Sequence, residues 1–298
     1  MYDQRQLRAL LAIVDQGSLN RAAGHLHMTQ PTLSRLLAEM ERQLDQRLFE
    51  RTTKGMVATQ AGEALVPYAR LILHEMESAD TALLALRGLR RGVARIGAVA
   101  TIARSILPPA VAKYLEDAPG LQVTVLERAD DQLVAALLKR EIDLMIAATL
   151  PAVDGITVIR ECPYEDAFSV FCSPDHPLLR QPWLVPEALN GQQWVMPAKG
   201  ATPRQMFDEL MVKSGADAAE VVVETSSLDA MVSFVANSRL LGWLPRPLLS
   251  QALGAGAIRA LDVRDFDLSR RFFLYRRTQG VLPDPVQKLL KYIAPMQR

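Results

Sequence analysis

The chain has 298 residues, 49% of them hydrophobic and 22% charged, with a formal net charge of +1. That balance is typical of a soluble globular protein of two or three domains. Near-neutrality excludes a global field that would favour nucleic acid, so any attraction for DNA has to be local.

Arg5 to Asp15 reads as a first helix, with Leu7, Leu10, Leu11 and Val14 inward and Gly17 ending it. Two helices around a tight turn follow, from Ser18 to Leu48. Ser18 is placed to cap the first of them by accepting a backbone N–H. Leu19, Ala22, Ala23 and Leu26 recur at helical spacing, and the small alanines let a second helix pack close. Thr29 caps that second helix, and Pro31 falls in its first turn, where a missing N–H costs nothing. Leu33, Leu36, Leu37, Met40 and Leu44 form its inner stripe.

The outer face of its first turns carries Gln30, Thr32, Ser34 and Arg35. Gln can pair bidentately with adenine and Arg with guanine, and a helix-turn-helix sets such a face in the major groove. The sequence QRLFERTTKGMVATQAG then reads as two short strands around Thr52–Gly55, a wing whose Arg51, Thr52 and Lys54 suit phosphate or minor-groove contact. With Ser18, Thr29 and Pro31 bordering the helix, these are the candidate DNA contacts. The first 58 residues hold eight Lys/Arg against six Asp/Glu, so non-specific affinity should be modest, salt-sensitive and doubled in a dimer. The plain alternative is a solvated helical hairpin.

Thr59 caps a long helix running to about Arg87. Its apolar positions Ala61, Leu65, Tyr68, Ile72, Met76, Ala79, Leu83 and Leu86 advance by three or four residues, close to a heptad stripe that needs a partner helix. That predicts a homodimer, with a mild kink at Pro67. Residues 89–92 read as a hinge.

From Val93 the pattern becomes strand then helix, repeated, which predicts an α/β fold with a mainly parallel sheet. Strands are expected at VARIGAVA, LQVTVLER, IDLMIAA, AFSVFCS, WVMP, EVVVET, LGWLP, IRALDV and RRFFLYRR. Helices are expected at Ala103–Glu116, Asp130–Arg140, WLVPEAL, Pro203–Ser214, Ser227–Ala236, Leu248–Leu253 and Asp284–Met296.

The segment Leu7–Gly62 resembles the N-terminal domain of LysR-type transcriptional regulators, through LRALLAIVDQGSLNRAAGHLHMTQPTLSRLLAEMERQL and LFERTTKGMVATQAGEAL. Two residues depart from the family pattern: Asp45 stands where a helix-ending glycine is usual, and Asn20 where Thr or Ser is. Later markers, GAVATIARSILPPAVAKYL, LLKREIDLMIA, SPDHPL and LGWLPRPLL, resemble the family's effector domain. The stretch VVVETSSLDAMVSFVANSRLLGWLPRPLL is most similar to the galactose-binding-protein-regulator-like group, which serves sugar and aromatic-acid catabolism.

The resemblance implies an N-terminal all-α winged helix-turn-helix over 1–58 and a linker and dimerisation helix with hinge over 59–91. It implies a C-terminal α/β, two-lobed, periplasmic-binding-protein-like effector domain over 92–298. Lobe I would hold 92–161 and 266–298, and lobe II 162–265. It further implies antiparallel pairing of linker helices, a homodimer assembling to a homotetramer, and double-stranded promoter DNA and a small-molecule effector as partners. The competing class is a small-molecule-binding protein or enzyme whose N-terminal helices serve only oligomerisation.

Ligands of open α/β sheets sit beyond the carboxyl ends of strands. The residues placed there are Thr101 and Ile102, Asp130, Lys199, Gly200, Ala201 and Thr202, and Ser226 and Ser227. They suit an anionic or polyhydroxylated metabolite, with Asp130 and Asp131 repelling a carboxylate and accepting from sugar hydroxyls. Arg104 and Arg204 are read as facing solvent.

No catalytic, metal or cofactor pattern stands out: His25, His27, His74 and His176 lack metal-ligand spacing, and Asp143 and Glu161 lack an evident acid/base partner. Cys162 and Cys172 lie in apolar stretches and read as buried structural thiols. A secretory leader and an apolar span are both missing from the pattern, so a cytoplasmic location and no membrane partner are expected.

Overall fold

The computed structural model describes residues 2–53, 55–86, 92–150 and 152–293, with backbone alone at 81, 82 and 84–86. Lys54, the greater part of the expected hinge at 89–92, and 294–296 of the expected last helix lie outside the described residues; that helix in fact ends at Leu289, and 290–293 form a turn.

Helix α1 (Gln4–Gln16) opens on a capping box between Asp3 and Gln6 and ends at Gly17, whose φ of 61° is the left-handed conformation glycine tolerates. Helices α2 (Leu19–His25) and α3 (Gln30–Leu44) follow, then strands β1 (Phe49–Thr52) and β2 (Gly55–Ala58), then α4 (Gln60–Leu86). Leu10, Ile13, Ala22, Ala23, Leu33 and Met40 form the buried centre of this head, and Ala69 of α4 joins it. Ser18 holds the N-cap position of α2, but its side chain makes no capping bond. The Thr59 hydroxyl does cap α4, accepting from Gly62 N–H at 3.2 Å.

Asp45 takes the helix-ending place of α3 at φ 49°, so the helix stops at Leu44. Asp adopts that conformation more readily than most residues with a Cβ. Glu41 then accepts from Leu48 N–H (2.7 Å) and Phe49 N–H (3.2 Å), turning the chain into the wing. The wing is seated on the α1–α2 turn, where Met56 N–H donates to the Gly17 carbonyl at 2.9 Å. A Cβ at Gly55 would lie 2.3 Å from that carbonyl oxygen, so only glycine fits.

The second half runs β3 (Gly92–Ala98), α5 (Ala100–Arg104), α6 (Leu107–Asp117), β4 (Leu121–Glu127), α7 (Asp130–Leu138), β5 (Leu144–Ala148) and β6 (Ile156–Cys172). Then come β7 (Gln193–Met196), α8 (Thr202–Lys213), β8 (Glu220–Glu224), α9 (Leu228–Ala236), β9 (Gly242–Pro245), α10 (Arg246–Gly254), β10 (Arg259–Leu261), β11 (Ser269–Arg277) and α11 (Asp284–Leu289).

Four further expectations need correction. The sheet is mixed rather than mainly parallel: β4, β3 and β5 run parallel, while β11 and β6 complete that side antiparallel. The single helix expected over Ala103–Glu116 is two, α5 and α6. Pro108 and Pro109 lack the N–H groups that would carry a helix through, so a new one starts at their position. WLVPEAL is not an α-helix. Leu184 bridges to Val263, and only Pro186–Leu189 turns as a short 3₁₀ segment. Finally, β6 is one strand of 17 residues through Pro163. The register jumps from Arg271↔Glu165 to Phe272↔Cys162, so Pro163 and Tyr164 bulge out of the ladder, where a missing N–H is tolerated.

That long strand passes between two packed cores. Cys162 lies with Ile96, Ile146 and Phe272 in one, and Phe168 with Trp194, Phe207 and Trp243 in the other. The chain returns along Phe266, in the second core, to Phe272, in the first. Strands β6 and β11 cross the gap together, pairing Asp166 with Arg270 and Ala167 with Ser269.

Candidate DNA interface and effector cleft

On α3, Gln30, Pro31, Thr32 and Arg35 are exposed and Ser34 is half-buried, while Leu33, Leu37 and Met40 point into the head. The Thr29 hydroxyl accepts from Thr32 N–H (3.4 Å) and lies 2.8 Å from the Thr32 hydroxyl. Both hydroxyls therefore sit side by side at the helix start. Arg35 enters no ion pair among the described residues, whereas Arg42, further along, is held by Glu39 at 2.6 Å. A free arginine and an exposed amide on the first turns form a surface with donors to spend on base edges. Arg51 and Thr52 are exposed on β1. Ser18 is half-buried in the turn beneath the wing.

The apolar stripe of α4 divides. Ala61 and Leu65 pack into the head, but Tyr68, Ile72, Met76 and Leu83 are exposed, Tyr68 at 62% and Leu83 at 60%. Arg70 pairs with Asp15 of α1 at 2.6 Å and fixes the head on the helix.

Two cavities flank the β6–β11 crossing. One, of about 580 Å³, is lined by Thr101, Asp130, Ala201 and Ser226 of the expected set, with Phe168, Met231 and Leu244 as apolar wall. The other, of about 920 Å³, is lined by Asp130 and Thr202, with Asp131, Glu165 and Gln205. Asp130 and Arg270 belong to both. The remaining expected residues lie elsewhere. Ile102 is fully buried in the core beside β3. Lys199 and Gly200 sit exposed in a turn outside both linings, and the Ser227 hydroxyl caps α9 by accepting Ala230 N–H at 3.2 Å. Arg204 does not face solvent: it is 5% exposed and pairs with Asp208 at 2.9 Å. Arg104 reaches across the gap to Asp229 of α9 at 3.4 Å.

Sequence reasoning misses Arg270. Its guanidinium donates to both oxygens of buried Asp166 (3.0 and 2.6 Å), lies 4.6 Å over the Phe168 ring, and reaches the Thr101 hydroxyl at 3.4 Å. Burial pushes the Asp130 carboxyl above its ordinary range, with nearby Arg270 opposing the shift.

A second cluster that the sequence pattern does not reveal docks α4 on the β3–β5 side. Buried His74 Nε2 lies 3.1 Å from Asp143 Oδ1, and Arg277 Nη2 lies 3.2 Å from the same oxygen. Arg277 Nη1 also donates to the carbonyls of Leu137 and Ile142 at 3.0 and 2.5 Å. Arg140–Glu75 (3.5 Å) and Arg95–Glu77 (3.1 Å) flank it. Asp143 thus has the partners its sequence neighbourhood does not show.

A model of the bacterial regulatory helix-turn-helix protein, lysR family, matches residues 4–63, and one of the LysR substrate binding domain matches 87–297. The chain belongs to the LysR family. Members of this family are DNA-binding transcriptional regulators rather than enzymes, and the chain is such a regulator with an effector-binding domain. It is 30% identical to the regulator GbpR of Rhizobium radiobacter, over 84% of each chain. Its fold matches a full-length cysteine variant of OxyR from Pseudomonas aeruginosa at a TM-score of 0.72 and 21% identity, over 98% of this chain and 95% of that one. CbnR, solved in complex with its target DNA, matches at 0.67 and 19% identity, over 98% and 99%.

In this LysR-family chain both cysteines are free and buried, and burial pushes each thiol up to about 11. They lie ten residues apart on one strand, roughly 30 Å at a strand's rise per residue, beyond disulfide reach within the chain. Among the described residues no cluster fits a metal ion, and no helix is long and apolar enough to cross a membrane.

Proposed function

We propose that this regulator reads a two-fold operator through α3 and the wing, as a homodimer assembling to a homotetramer, in the cytoplasm. The observation that carries the reading is the exposed Arg35, in no ion pair among the described residues, beside Gln30 on the first turns of a helix whose other face is buried. Arg51, Thr52 and Lys54 would hold the phosphate backbone, with Ser18, Thr29, Pro31, Thr32 and Ser34 lining the contact. The exposed stripe Tyr68, Ile72, Met76 and Leu83 would pair with the same stripe of a second copy. We assign residues 1–58 to the head, 59–91 to the linker, and 92–298 to an effector domain whose lobes part near 162 and 265. A small metabolite bound between the lobes, against Thr101, Asp130, Ala201, Thr202 and Ser226, would favour one lobe arrangement and so shift the spacing of the heads.

The test is selection of sheared source-genome DNA on the purified protein, followed by footprinting. Two-fold footprints near a few promoters are expected. Gln30→Ala and Arg35→Ala should each weaken operator binding by about 1–3 kcal/mol while circular dichroism stays unchanged. Equal protection by both variants at the same concentration would sink the base-reading assignment.

A further inference from the structure

Resting on the reading that the effector sits between the lobes, we infer that this regulator's ligand is a neutral polyhydroxylated molecule of the monosaccharide class, gripped where Asp130 and Arg270 meet. Asp130 is 9% exposed and lines both cavities. Among the described residues it makes no ion pair, and the one hydrogen bond it takes from another residue is Ala148 N–H to Oδ1 at 3.3 Å. A buried carboxylate with acceptor sites facing a cavity calls for donors from whatever fills it.

Arg270 stands close enough to influence Asp130 electrostatically, yet the two form no ion pair. Its Nε and Nη2 are taken up by Asp166, and Nη1 makes no hydrogen bond among the described residues. The gap between them therefore presents acceptors on one side and donors on the other.

The chemistry of that gap discriminates by charge. A carboxylate would gain from Arg270, with Arg271 nearby, but be repelled by Asp130, Asp131 and Glu165. An ammonium would gain from Asp130 but be repelled by Arg270. A hydroxyl both donates and accepts, so it satisfies the two together. Thr101, Thr202 and Ser226 extend the same donor-and-acceptor lining, and a chamber of about 580 Å³ is of ordinary size for a small ligand.

The test uses the full chain, thermal unfolding and calorimetry. The probes are D-glucose, D-galactose, D-xylose and L-arabinose, the aldonates of the two hexoses, and the two corresponding hexosamines. At least one neutral sugar should raise the melting temperature saturably and bind at least tenfold tighter than its acid and amine counterparts. Asp130→Asn should weaken that binding roughly 10-fold to 100-fold, as loss of a hydrogen bond to a charged group does. The variant should fold, because it removes a buried charge that makes no ion pair among the described residues, and its amide oxygen can still accept the Ala148 N–H. No response to any neutral sugar overturns the ligand class. If only an acid or amine binds, and Asp130→Asn or Thr101→Val abolishes it, the class falls and the cleft stands. Sugar binding left unchanged by both variants removes the cleft as the site, and this inference with it.

Discussion

Three buried aspartates lie near strand β11; Asp166 is held by Arg270, and the fold treats the other two, one toward each end, in opposite ways. Asp143, fully buried, sits against Arg277 and His74 at the seam between α4 and the β3–β5 side. Asp130, nearly as buried, stands by Arg270 at the cleft without an ion pair. Burial alone would raise the Asp143 carboxyl, but the hydrogen bond and charge of His74, with the charge of Arg277, hold it below the ordinary range. For Asp130 burial outweighs the opposing charge of Arg270 and the Ala148 N–H, and lifts the carboxyl. A buried charge paired within the chain serves the fold; a buried charge without an ion pair costs stability.

The comparison breaks most visibly at Asp143. Asp143→Ala leaves Arg277 buried without its carboxylate, and unfolding in urea should show a loss of roughly 3–5 kcal/mol. Replacing the set together, as His74→Leu, Asp143→Leu and Arg277→Met, should recover much of that loss, because no uncompensated charge remains. A triple variant as unstable as the single one would mean that the seam depends on these charges for more than pairing.

Asp130→Asn tests the other end and has the opposite sign. The folded carboxyl titrates above its unfolded value of 3.8, so its ionisation opposes folding once pH rises past both values. The variant should therefore be more stable than the parent near pH 7, by about 0.5–2 kcal/mol, the common yield of a single stabilising substitution. The gap should close as pH falls through the folded value toward 3.8. Asp143 runs the other way: its contribution is complete above 3.8 and fades as pH falls through its lowered folded value. Denaturant melts at a series of pH values separate the two. A gap that widens in acid would overturn the assignment for Asp130.

What the amino-acid sequence disclosed follows the same division between local and distant causes. The head was legible because its signals are local: Ala22 and Ala23 at the helix contact, Thr29 and Pro31 at a helix start, the 3–4 spacing of Leu33, Leu37 and Met40. Asp130, Thr101, Ala201, Thr202 and Ser226 reach the cavity walls because strand ends in such folds converge on one cleft. Arg270 and Arg277 were not legible, since their partners lie 104 and 134 positions away and depend on strand register. Both occupy strand positions, one half-buried and one buried, where charged residues carry no period of their own. Ile102 shows the converse: beside Thr101 in sequence, it turns into the core because neighbours on a helix diverge in direction.

The smallest effect sharpens where the seam's energy lies. Arg95 and Glu77 link β3 to α4 at 3.1 Å, only a few residues from His74, but Glu77 is 58% exposed. Water screens such a pair, and ordering two long side chains offsets most of its attraction, so Glu77→Gln should change stability by less than about 1 kcal/mol. Raising salt should shrink even that, while leaving the Asp143→Ala loss nearly intact, because ions do not reach a fully buried group. Measuring both variants at low and high salt therefore distinguishes a seam held by its buried triad from one held by a diffuse band of surface charge. Comparable losses that fall together with salt would favour the band, and the contrast between the two aspartates would then reduce to exposure alone.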